Sequence, residues 1–144
     1  ISESHIRLRE PVLQPDAILI QDPTLLHSIN VFAGAKMDGF LLINTTKSFT
    51  ELGIEEFIDQ RLRHRNLIVP ASDIAINHVG RPMPNAALLG GFAAATKKVT
   101  LDSVLAAIED RFPPKIAAGN IAAAREAFEY VIDELKEFEH AAAN

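Results

Sequence analysis

The chain has 144 residues, 48% hydrophobic and 23% charged, with a formal net charge of −5 and no cysteine. That size and balance suit one α/β-sized domain over residues 1–144 and exclude wholesale disorder; the missing cysteines exclude disulfides, thiolate zinc sites, Cys-ligated iron–sulfur clusters and a cysteine nucleophile. The acidic balance gives no electrostatic reason to expect nucleic acid. No apolar run reaches the ~20 residues of a membrane span, and no signal peptide opens the chain, so a reducing cytoplasm is the expected setting.

Position 1 is Ile, and the chain runs at once into the strand-like Ile6–Arg9, as in a chain entered partway through a fold or trimmed at its terminus. Ala17–Ile20 is a short apolar run stopped by Gln21-Asp22-Pro23, where proline suits a first helical turn. Asp22 reads as the N-cap of that turn or as a functional group at the carboxyl edge of a sheet. A segment around Val31 to Lys36 ends at Asp38-Gly39, a turn signal tolerant of positive φ. Phe40–Asn44 follows as a strand apolar on both faces, as parallel sheets require.

Ser48 or Thr50 can cap a helix whose stripe is Ile54, Phe57, Ile58 and Leu62. Arg61, Arg63 and Arg65 follow Glu55, Glu56 and Asp59 closely, which reads as a solvated helix end with cations near the negative dipole terminus; a phosphate site is the alternative. Asn66–Val69 is the next strand, ended by Pro70. Ser72 offers a helix start with Ile74, Ala75 and Val79 inward and Gly80 as the stop. Strands alternating with crossover helices predict an α/β, Rossmann-like parallel sheet flanked by helices.

The second half is helical and alanine-rich. Asn85–Ala95 carries Gly90-Gly91 in its middle, each costing about 1 kcal/mol against alanine, so close approach of a neighbour or a local break is expected there. Thr100, with Asp102 beside it, caps a helix through Val104, Leu105 and Ile108 that ends near Phe112-Pro113-Pro114. A last helix from Lys115 to about His140 has Ile116, Ile121, Ala124, Phe128, Val131, Ile132 and Leu135 on one side. Glu126, Glu129, Asp133, Glu134, Glu137 and Glu139 form its acidic, solvated side.

Chemistry is sparse. The five histidines are scattered without metal-ligand spacing, and no nucleophile elbow, Walker loop or Gly-x-Gly-x-x-Gly is present. No catalytic and no metal-binding residue is therefore assigned. One stretch stands apart: Gly80-Arg81-Pro82-Met83-Pro84-Asn85 places two prolines, an arginine and an asparagine before a small-residue helix. Asn85 can cap that helix and Arg81 can pair with a carboxylate; a proline-braced loop with an arginine at a helix N-terminus also suits an anion or diphosphate.

These residues carry a resemblance. Pro15-Asp16-Ala17 through Asp22-Pro23-Thr24-Leu25-Leu26, Asp38-Gly39 with Phe40–Thr45, Val69-Pro70-Ala71-Ser72-Asp73-Ile74-Ala75, Gly80-Arg81-Pro82 with Asn85–Gly90, Ile108–Phe112 and Asn120–Ala124 together resemble, in order and spacing, the γ subunit of the thiamine-dependent 2-oxoacid:ferredoxin (acceptor) oxidoreductases, pyruvate type foremost. Ala86-Ala87-Leu88 stand where the family pattern has Thr-Ala-Met. The family's opening strand, glycine-rich loop and helix are missing, so the chain resembles the C-terminal part of such a subunit.

The resemblance implies a non-catalytic subunit of a complex that decarboxylates a 2-oxoacid oxidatively to an acyl-CoA. It implies thiamine diphosphate, magnesium, 4Fe-4S clusters and coenzyme A in the complex, none bound wholly by this chain. The implied partners are thiamine-binding α and β subunits, a ferredoxin-like δ subunit, and ferredoxin or another electron acceptor. Arg81 and Asn85 then belong near the coenzyme A entrance. The alternatives are a stand-alone nucleotide-binding or flavodoxin-like domain, weakened by the missing phosphate loop, and a pure protein-interaction module.

Overall fold

Three short parallel strands form one sheet in the order β1 (Ala17–Ile20), β2 (Phe40–Asn44), β3 (Asn66–Val69). This is a computed structural model, and it describes residues 14–27, 32, 34–59, 61 and 63–143. The strand expected at Ile6–Arg9 lies outside the described residues, and the segment expected at 31–36 lies partly outside them. The register sets Ala17 opposite Phe40 and Ile20 opposite Ile43, then Leu41 opposite Asn66 and Asn44 opposite Val69. Alternation sends Leu19, Leu42, Leu67 and Val69 to one face, and Ile18, Ile20, Leu41, Ile43 and Ile68 to the other. Both faces must be covered, because a parallel sheet has no solvated side.

The second face is covered by α1 (Phe49–Leu52) and α2 (Glu55–Asp59), through Phe49, Leu52, Ile54 and Ile58. Ser48 does cap, in a reciprocal box with Glu51. The single helix expected over Ile54, Phe57, Ile58 and Leu62 is instead two up to Asp59, with Leu62 outside the described residues: Gly53 takes a left-handed φ of 76° and its N–H closes the first helix on Phe49 and Thr50 carbonyls.

Arg61 and Arg65 behave differently from a solvated helix end. Arg61 is only 8% exposed. Its Nε donates to Asn66 Oδ1 at 2.8 Å and its Nη2 to the Gly39 carbonyl at 2.8 Å, with the Lys36 carbonyl as a third acceptor. The guanidinium lies over the Phe57 ring, 5.0 Å from its centroid, and that of Arg65 lies over Phe40. The fork-shaped side chain thus satisfies the carbonyls of the turn before β2. Gly39 in that turn is needed for room rather than for positive φ, since a Cβ would stand 3.1 Å from the Asp16 carbonyl oxygen.

The first face receives α3 (Ala71–Val79), α4 (Asn85–Thr96) and α6 (Pro114–Ala143), with α5 (Leu101–Arg111) packed outside α4 and α6. Gly80, at φ 82°, stops α3 as expected, and Thr100 caps α5 by accepting from the Ser103 N–H. The 30-residue α6, about 45 Å long, touches α3, α4 and α5. Gly90 sits inside an unbroken helix because α6 comes so near: a Cβ there would lie 2.1 Å from the Ala124 carbonyl oxygen.

Gly90→Ala gains about 1 kcal/mol of helix propensity but forces two backbones apart, which costs more. The expected net loss is about 2 kcal/mol, read as a lower thermal midpoint. Gly91→Ala, whose Cβ meets only side-chain methyls from 3.3 Å outward, should lose less.

Candidate functional site

The carboxyl ends of the three parallel strands open into a cleft of about 360 Å³, where open α/β sheets place ligands. β1 contributes Gln21 and Asp22, β2 contributes Asn44 and Thr45, and β3 leads through Pro70 into Ser72 and Asp73 of α3. Asn44 is 7% exposed and ties the three ends together. Its Nδ2 donates to the Gln21 carbonyl and to Ser72 Oγ, both at 2.8 Å, while its Oδ1 accepts from the Ser72 N–H at 3.0 Å. A lone amide at the end of an apolar strand is the sequence signal for this clasp, and residue patterns alone do not name its partners.

Asp22 takes the capping role: its Oδ1 accepts from the Thr24 N–H at 3.0 Å and from Thr24 Oγ1 at 2.7 Å. Those bonds hold its carboxyl below the usual aspartate value of 3.8, while Pro23–His27 forms a 3₁₀ turn. The same carboxylate lines the cleft. Thr45 is buried and its Oγ1 accepts from the Lys47 N–H at 3.1 Å. Among the described residues, the ionisable side chains lining the cleft are Asp22 and Asp73. They make neither a nucleophile–base pair nor, among the described residues, part of a metal-holding group of His, Asp and Glu.

Arg81 and Asn85 lie elsewhere. The nine residues of α3, about 13 Å of helix, separate the cleft from the Gly80–Pro84 loop. Arg81 is exposed, and among the described residues its guanidinium has no hydrogen-bond or ion-pair partner. Asn85 is exposed and opens α4 without capping it. Pro84, already in the αR region at ψ −5°, occupies the cap position with no side-chain bond, whereas a side-chain cap needs extended backbone there.

A second groove of about 290 Å³ runs beside β3, between Lys47–Phe49 and the α6 residues Tyr130, Glu134 and Phe138. Burial first, then the charges of Glu134 and Glu137, push the Tyr130 phenol above its ordinary 10.0.

Comparison with known proteins gives one answer. The family described as pyruvate ferredoxin/flavodoxin oxidoreductase matches residues 1–130. The chain is 40% identical over 129 residues to a pyruvate/ketoisovalerate oxidoreductases common subunit gamma of Pyrococcus abyssi, covering 90% of this chain and 68% of that protein. It is 37% identical over 128 residues to a pyruvate synthase subunit PorC of Methanocaldococcus jannaschii, covering 89% and 66%. The crystal structure of the pyruvate oxidoreductase subunit PORC of Thermotoga maritima superposes with a TM-score of 0.67 at 32% identity, over 82% of this chain and 64% of that one. The chain thus spans about two thirds of the length of these proteins.

Asn44→Ala leaves the Ser72 N–H and the Gln21 carbonyl without their partner and should cost about 1–3 kcal/mol, measured by urea unfolding. Tyr130 is the only tyrosine, so phenolate absorbance reports it alone. Its midpoint should exceed 10.0 when folded and fall back in denaturant. Because the folded value is raised, its stabilising contribution is full below the unfolded value and is lost as pH rises through the folded one.

Proposed function

Because the chain belongs to the pyruvate ferredoxin/flavodoxin oxidoreductase family as a gamma-type, PorC-like member, we propose that it serves a cytoplasmic complex oxidising pyruvate or a related 2-oxoacid to the acyl-CoA, as a subunit without a complete active site. The observation that carries this reading is the match over residues 1–130, supported by the same fold in the PORC subunit of Thermotoga maritima. A stand-alone nucleotide-binding role has no comparable support, since the carboxyl-edge cleft carries two aspartates and no phosphate loop.

The cofactors implied by the family are thiamine diphosphate, magnesium, 4Fe-4S clusters and coenzyme A. The residues of this chain do not fit the clusters, which need thiolates that it lacks. Nor do the described residues gather a set of metal-binding carboxylates and imidazoles. In this reading the thiamine-binding α and β subunits and a ferredoxin-like δ subunit hold those groups, and ferredoxin or another acceptor drains the electrons.

Arg81 and Asn85 are assigned to the coenzyme A entrance. The support is chemical: a guanidinium with no described partner, exposed on a loop braced by Pro82 and Pro84 at the start of α4, suits a phosphate-bearing ligand. Co-expressed with its genomic neighbours, the chain should co-elute with thiamine- and iron–sulfur-containing partners; elution alone would overturn the subunit reading. In the assembled enzyme, Arg81→Ala should raise the KM for coenzyme A about tenfold with the KM for the 2-oxoacid unchanged. An unchanged KM for coenzyme A removes Arg81 from the entrance.

A further inference from the structure

We draw no further inference here: the strongest candidate, the groove beside β3 between Lys47–Phe49 and the α6 residues Tyr130, Glu134 and Phe138, carries nothing because nothing in the structure shows what covers it.

Discussion

The approach of α6 to α4 at Gly90 is the contact on which the rest of the fold depends. A three-stranded parallel sheet must be roofed on both faces, and its first face is narrow. Two helices roof it only if they lie close side by side, and Gly90 removes the one Cβ that would collide with the Ala124 carbonyl. With α4 and α6 set at that distance, Ala87, Leu88 and Ala94 meet Leu42, Leu67 and Val69. The alanine-rich composition of the second half follows from the same need, since small side chains let the helix axes converge. A separate cluster of Ala86, Ala93, Val104, Leu105 and Ile108 then fastens α5 on the outside. Gly119 repeats the device where α6 passes the His78 carbonyl, and so fixes α3.

Much of this was legible in the residues. The three described strands, the helical second half, the Ser48 and Thr100 caps and the Gly80 stop all follow from period and capping chemistry. They are local rules, enforced by neighbours a few positions away. The close approach at Gly90 was one of two readings, and only the position of Ala124 on a distant helix decides between them. The break after Ser48 does not show in the apolar period, because the stripe continues past Gly53 through Ile54 and Ile58. Here the αL closure dominates the pattern.

The site was less legible, for a physical reason. Arg61 looked like one of three solvated arginines, yet it spends its donors on Asn66 and on the turn at Lys36 and Gly39, more than twenty positions away. Nothing in local charge pattern distinguishes a guanidinium that folds inward from one that does not; only the return of β2 beside β3 supplies the carbonyls. Asn44 is the same case in amide form, recognisable as polar at a strand end but not as a clasp. The Pro-rich loop is legible because its prolines mark it locally, whereas Asn85 does not cap α4 because Pro84 has already entered helical backbone.

Two surfaces therefore remain, at opposite ends of one helix. The N-terminus of α3 borders the cleft through Ser72 and Asp73, and its C-terminus releases the chain into Arg81. They carry opposite charge, so a single ligand with one sign of charge does not suit both. Each is anchored by a different bond set. The Asn44 clasp fixes the first end; Gly119 beneath His78, with His78 Nε2 3.5 Å from Glu126 Oε1, fixes the second. Because α3 is short and held at both ends, the distance between the surfaces is set by the fold rather than by either occupant. An acidic cleft and a basic loop held apart in this way serve different contacts, and a substitution confined to one is expected to leave the geometry of the other in place.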